Sequence, residues 1–306
     1  MSGGEGVAAA RVRSDKELTP AALFSLDYLP VPTALSPYVT TAYHMTCDEA
    51  VIRDIQPAAV GHFLIMPRGK GLMRFADGKV DVSHETNLLT PLSRAAPFEV
   101  EGPFHAIGVA MTPHGWAALT GLDASEWGDR LLPVAEHLSA EADALGKRLC
   151  SEYRDGAKSG AECVDEIAAY IADHLHPLPP RHIELVEKTN RWLGTAISPE
   201  VDDLFIEVAY SKRQVQRLVE RYFGLPPRAL ARKYRALRAA ALLSLPKLSD
   251  EVDAQLSDAF YDQPHMIREI QHFVGRTPAK LTKPDRPYLS ELIERKNFRE
   301  IGNPDM

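Results

Sequence analysis

SPEVDDLFIEVAYSKRQVQRLVERYFGLPPRALARKYRALRAAALL, residues 198–243, alternates helical patterns with helix-ending residues in a set order. Val201, Leu204, Phe205 and Val208 form the apolar side of a short first helix, and Asp202, Asp203 and Glu207 its polar side. Ala209 and Tyr210 make a turn. Ser211 then caps a second helix, because its hydroxyl can accept from the unpaired amides of the first turn. That helix carries Val215, Leu218, Val219 and Tyr222 on one stripe. Gly224 stops it as a C-terminal cap, and Pro226 and Pro227 open a third helix, where a missing amide costs nothing.

The other face of this stretch is basic. From Ser211 to Leu243 there are nine bases, Lys212, Arg213, Arg217, Arg221, Arg228, Arg232, Lys233, Arg235 and Arg238, against the single acid Glu220. The segment nets +8 in a chain of net charge −7. Such a stripe within an acidic protein is the electrostatic footprint of a polyanion site. Lys212, Arg213, Gln214, Gln216 and Arg217, in the first turns of the second helix, can donate to phosphates or pair with base edges. A solvated amphipathic helix pair would carry the same arginines, so charge alone does not decide.

A second copy of the pattern does more. SDEVDAQLSDAFYDQPHMIREIQHFVGRTPAKL, residues 249–281, again runs helix, turn, capped helix, Gly and Pro. Asp262 caps the new helix, Pro264 lies in its first turn, and Met266, Ile270 and Phe273 share one side. Arg217 and Arg268 lie at matching places after the caps Ser211 and Asp262, and so do Gly224 and Gly275. The spacing predicts two helix-turn-helix units joined by one helix, with second helices at 211–223 and 262–274.

These residues resemble the AraC/XylS family of bacterial transcription regulators, through SKRQVQRLVERYFGLPPRAL, KYRALRAAALL and FYDQPHMIREIQHFVGRTP. The resemblance covers roughly residues 180–283. It implies a seven-helix DNA-binding domain whose two recognition helices enter successive major-groove segments of double-stranded DNA. Carried over position by position, it makes Arg213, Gln216 and Arg217 base-reading in the first unit. In the second unit the base-reading positions are Gln263, Pro264, His265 and Arg268. Lys212, Arg221, Arg228, Arg232 and Lys233 are candidates for phosphate contact. Two features depart from the family: Ala259 stands where a glycine is usual, and the helix before it looks shortened and acidic. From Ser249 to Gln263 the charged residues are Asp250, Glu251, Asp253, Asp258 and Asp262. Such charge opposes phosphate binding, so the first unit is expected to dominate affinity.

A chain of 306 residues is long enough for two domains. Cys47, Cys150 and Cys163 are odd in number and lack a C-x-x-C pairing, which fits a reducing compartment and gives no metal signature. The start has no apolar core of signal-peptide length, and no run approaches a membrane span, so a cytoplasmic protein is expected. Residues 1–22 read as a disordered tail. From Tyr38 the segments YVTTAYHMT, AVIRDI, VGHFLIM, GLMRF, KVDV, FEVE and HAIGVAM read as strands, with Asp77-Gly78 as the strongest hairpin signal. This predicts an α+β chain: a small β-barrel with trailing helices over 23–176, then the all-α double helix-turn-helix domain over 181–283. The resemblance makes the barrel cupin-like, a small-molecule sensor or dimerisation domain. DASEWGDRLLPVAEHL reads as helical, and so do ADALGKRLCSEYRDG and AECVDEIAAYIADHLH. The last two either contact a second copy of the chain in a homodimer or cap the barrel. HPLPPRH, 176–182, is a stiff spacer, and 284–306 form a tail with one helical pattern at Leu289, Leu292 and Ile293.

Phe63, Ile65, Met73, Phe75, Phe98, Phe104 and Met111 are the apolar candidates for an effector cavity, with Arg68, Arg74 or Arg94 for an anionic head. The same residues equally suit a packed core with solvated arginines. His44, His62, His84, Glu85 and His105 lack the close His-x-His spacing of a metal strand, and no catalytic motif occurs, so neither enzyme activity nor a cofactor is expected. An enzyme of cupin type and a protein-interaction adaptor without DNA binding are the rival readings. RNA polymerase is a partner if the regulator activates.

Overall fold

The computed structural model describes residues 18–245 and 249–281. The first part of the chain forms one antiparallel sheet with helices, and the described residues from Pro180 to Leu281 are helical, giving the expected two-part α+β build. The strands are β1 (Phe24–Leu29), β2 (Val39–Cys47), β3 (Val51–Gln56), β4 (His62–Arg74), β5 (Val80–Val82), β6 (Thr86–Leu89), β7 (Ala96–Met111) and β8 (Leu131–Pro133). They run in the order β1-β2-β7-β4-β6-β8, with β3 also on β7 and β5 on β4. The path ends at β1 and β8, so the expected small barrel is an unclosed sheet.

Two pairs of sequence runs fuse into single strands. VGHFLIM and GLMRF become β4, whose register against β7 shifts between Ile65, Arg68 and Lys70. Pro67 sits at that shift, where its missing donor removes a ladder bond. FEVE and HAIGVAM become β7, paired with β3 along its first half, β2 along its second, and β4 opposite. The Asp77-Gly78 hairpin forms as expected: Phe75 N donates to Lys79 O at 2.9 Å, and Gly78 takes φ +86°, a left-handed conformation that glycine adopts freely.

Helices α1 (Pro113–Thr120), α2 (Ala124–Trp127), α3 (Val134–His137), α4 (Ala140–Arg154) and α5 (Gly160–His174) follow. The stretch from Asp123 to Leu138 is not one helical run. Pro133 has no amide to continue a helix, and Leu131 and Leu132 pair instead with Leu89 and Leu88 of β6. The apolar sides of α4 and α5, Leu149, Cys150, Val164, Ile167 and Ile171, pack with Phe63, Ile65, Ile107 and Met111 of the sheet. These helices cap one sheet face. The opposite face carries Met45, Leu64, Met66, Met73 and Phe104. The predicted tail 1–22 falls outside the described residues up to position 17, while Thr19 is buried and exchanges hydrogen bonds with the backbone of Arg53. The tail 284–306, with Leu289, Leu292 and Ile293, also lies outside them.

The helical part comprises α6 (Pro180–Gly194), α7 (Val201–Glu207), α8 (Lys212–Phe223), α9 (Pro227–Leu243), α10 (Asp250–Ala259), α11 (Gln263–Val274) and α12 (Pro278–Leu281). Ser211 and Gln214 form a reciprocal capping box on α8, and the Asp262 carboxylate accepts from His265 N on α11. Gly224 and Gly275 end these helices at φ +78° and +83°. The core holds Leu185, Trp192, Leu204, Val215, Leu218, Leu230, Ile270 and Phe273. α10 begins at Asp250, two residues ahead of the expected Val252, and runs for 10 residues.

The two parts share a buried seam. Ala58 N donates to Phe273 O at 2.8 Å, and Ala95 N to His272 O at 3.1 Å. The Arg276 guanidinium pairs with the Asp54 carboxylate. At the other unit, Gly224 sits so close to Ala124 that an added Cβ would stand 3.1 Å from its carbonyl oxygen. The spacer is anchored too, with His176 N donating to Ala118 O at 2.8 Å.

Candidate nucleic-acid interface and ligand cavity

The helical period places the two faces of α8 in opposite surroundings. Val215, Leu218, Val219, Tyr222 and Phe223 are buried, while Lys212, Arg213, Gln214, Gln216, Arg217 and Arg221 are exposed. Lys212 Nζ lies 2.8 Å from Asp202 Oδ1 of α7 and above the Phe205 ring. Among the described residues, Arg213, Arg217, Arg221, Arg228 and Arg268 make no ion pair, unlike Lys212, Arg232 and Arg235. Behind them His182 Nδ1 bonds Tyr222 Oη at 2.7 Å. Burial and then the Arg221 and Arg217 charges hold that imidazole below its ordinary pKa.

The second unit is arranged differently. Gln263, Pro264 and Arg268 are exposed at the start of α11, but His265 is half-buried. Its Nε2 lies 3.3 Å from Glu269 Oε1. Glu269 is 2% exposed and also accepts from Arg232 Nε at 2.5 Å and from Arg235 Nη2 at 2.6 Å. Arg235 further donates to Ser198 Oγ and the Ala259 carbonyl, and stacks on Phe260. One buried carboxylate thus gathers three basic side chains where α9 meets α11. The sequence reading missed it, although an acid on the Met266, Ile270 and Phe273 face is the signal of a paired burial.

The phosphate candidates divide accordingly. Arg228 and Arg232 both line the groove between the two units and are exposed, Arg232 with its Nε on Glu269. Lys233 is corrected. Roughly a hundred degrees round α9 from Arg232, it is 3% exposed, and its ammonium donates to Ala59 O at 3.1 Å and Leu92 O at 2.9 Å of the sheet part. A phosphate cannot reach it there.

Lys233 instead lines a cavity of about 150 Å³ between the sheet and α9. The walls are mostly apolar, with Leu64, Met66, Met73, Phe98, Phe104 and Ala106 from the sheet and Tyr234 and Leu237 from α9. Tyr43 Oη bonds His62 Nδ1 at 3.1 Å within it. Burial lowers the His62 pKa to about 4 and raises that of the Tyr43 hydroxyl, so both are neutral. Of the expected lining residues, Met73, Phe98 and Phe104 are present. Phe63, Ile65 and Met111 are not, because β4 and β7 alternate and send them to the opposite face beneath α4 and α5. Phe75 is buried next to the cavity without lining it, and Arg68, Arg74 and Arg94 lie off it.

Two of the scattered histidines meet. His44 Nε2 and His105 Nδ1 both bond Tyr153 Oη, at 2.8 and 2.7 Å. Among the described residues no three His, Cys, Asp or Glu side chains converge on one ion, and no helix is long and apolar enough to cross a membrane. All three cysteines are buried, and no disulfide joins them.

No family model matches this sequence, and no curated protein matches it either. Solved structures of ToxT from Vibrio cholerae are similar at 9% identity. The O395 protein bound to (E)-4-(8-methylnaphthalen-1-yl)but-3-enoic acid gives a TM-score of 0.43, with 88% of this chain and 98% of that one covered. Wild-type ToxT from strain SCE256, bound to an unsaturated fatty acid, gives 0.42 at 9% identity, with 85% and 94% covered.

Proposed function

We propose that this protein is a sequence-specific DNA-binding transcription regulator of the AraC/XylS type, with a DNA-binding domain over 181–283 and a sensor domain over 23–176. One observation carries the reading: two capped helices, α8 and α11, repeat with Arg217 and Arg268 at matching exposed positions. The first of them is strongly basic on its solvent face in a chain of net charge −7. Arg213, Gln216 and Arg217 read bases, with Gln263, Pro264 and Arg268 from the second unit. Lys212, Arg221 and Arg228 contact phosphate. His265 and Arg232, tied to Glu269, contribute less than the resemblance implies.

The effector belongs to the cavity against α9. Its apolar walls suit a hydrocarbon or aromatic body. The Lys233 ammonium and the neutral Tyr43–His62 pair suit an acidic head that accepts hydrogen bonds. A homodimer would use the polar sides of α4 and α5, since their apolar sides cover the sheet, and RNA polymerase is the partner if the regulator activates.

The test is selection from a random duplex pool at two salt concentrations, with Arg213→Ala/Arg217→Ala alongside. The intact protein should enrich a motif spanning two major-groove segments. The variant should lose the first segment, at about 1–3 kcal/mol for each bidentate contact removed. Retention of the full motif by the variant would sink the assignment of these arginines. Capture of a protein partner with no duplex retained at either salt would favour the adaptor reading.

A further inference from the structure

A reader of two groove segments needs its two helices held at one angle and spacing, and α9 alone joins the units along the chain. The seam supplies a second hold, chiefly through the stretch 54–59, DIQPAA, beside the Ala95 N bond to His272 O. Asp54 and Arg276, 1% and 3% exposed, pair across it. The Ile55 carbonyl accepts from Arg276 Nη1 at 3.5 Å. The Ile55 side chain seats the Gly275 cap so closely that a Cβ on that residue would lie 2.5 Å from Ile55 Cγ2. Ala58 N bonds Phe273 O, and the Ala59 carbonyl takes the Lys233 ammonium.

These contacts fall at or just past the C-terminal end of α11, on Phe273, Gly275 and Arg276. The candidate reading residues, Gln263 to Arg268, stand at the other end of a helix about 18 Å long. The sheet therefore grips the second unit from behind and leaves its reading end open. A small rotation at the gripped end moves the far end by ångströms, and a misplacement of that size breaks bidentate base contacts. Asp54 and Arg276 also cannot part cheaply, since both charges are buried and each loses its opposite charge.

We infer that Asp54 and Arg276 are positioning residues for the second reading unit: the sheet domain, through residues 54–59, sets the angle at which α11 meets DNA. The inference rests on the DNA-binding reading above. Gln56, Pro57, Ala58 and Ala59 also line the cavity, so a molecule there presses on the stretch that holds α11.

The test repeats the duplex selection with the full chain as wild type, Asp54→Asn, Arg276→Gln and Arg276→Lys, with a thermal melt of each. Wild type should give a two-segment motif. Asp54→Asn and Arg276→Gln should keep the first segment and lose the second, with affinity for the complete site falling about tenfold. Arg276→Lys, which keeps a cation for Asp54, should restore part of the second segment. Should the charge variants fail to fold, Ile55→Ala, which unseats Gly275 and strands no charge, should weaken the second segment alone. Folded variants that preserve both segments overturn the inference and leave the DNA reading intact. A wild-type pool without any motif removes the DNA reading and this inference with it.

Discussion

Glu269→Ala is expected to lower the stability of the folded chain by about 3–5 kcal/mol, the usual cost of removing one partner from a buried ion pair. Glu269 faces Arg232, Arg235 and His265 at 2.5, 2.6 and 3.3 Å. Arg235 dominates the effect, because it is well buried while Arg232 can turn to water. Urea unfolding followed by circular dichroism measures the change as a shift of midpoint at constant slope. Glu269→Gln, which retains one acceptor oxygen, should lose less. In a duplex titration it should also show a steeper salt dependence, because Arg232 becomes available to phosphate. A loss below about 1 kcal/mol in the alanine variant would mean that the bonds of Arg235 to Ser198 and Ala259 suffice to hold α9 against α11.

The second large effect is a loss of stability in acid centred on His62. Burial depresses its folded pKa to about 4, against an ordinary value near 6.5 for the unfolded chain. The fold therefore favours the neutral imidazole. The stabilisation is fully present above about pH 6.5 and is lost as pH falls towards the folded pKa, some 3 kcal/mol in all. His44 and His105 are held down in the same direction, first by burial, and add to the slope. Melting temperature should fall steadily between about pH 6.5 and pH 4. His62→Gln, which can still meet Tyr43 Oη but does not titrate, should flatten that fall. An unchanged profile would place the acid sensitivity elsewhere.

The helical part was readable because its information is local. Caps, terminal glycines and apolar spacing each occupy a few residues, and Ser211, Gly224, Asp262 and Gly275 stand where the pattern puts them. What escaped depends on distance. Nothing near Lys233 says that it turns from its neighbour Arg232 towards the Ala59 and Leu92 carbonyls, some 140 residues or more away in the chain. Strand parity escaped for a related reason. Phe63 and Leu64 are equally apolar, and only the placement of α4, α5 and α9 decides which of them faces a cavity. β1, β6 and β8 are short, and the apolar pattern of TNLL fits a helix as well as a strand. Glu269 was the exception in part: an acid on an apolar stripe was visible, although its partners Arg232 and Arg235 lie 37 and 34 residues back on α9.

The seam between the sheet and the helices bears on how the molecule comes apart. Ala58 and Ala117, residues of the first part, belong to the hydrophobic core of the second. Neither part can lose its structure without exposing apolar surface and stranding Asp54, Arg276 or Lys233. Two regions separable by eye are then one thermodynamic unit. A scanning calorimeter should record a single heat-absorption peak, with the calorimetric and van't Hoff enthalpies equal. Two resolved peaks would show the seam to be weaker than either core.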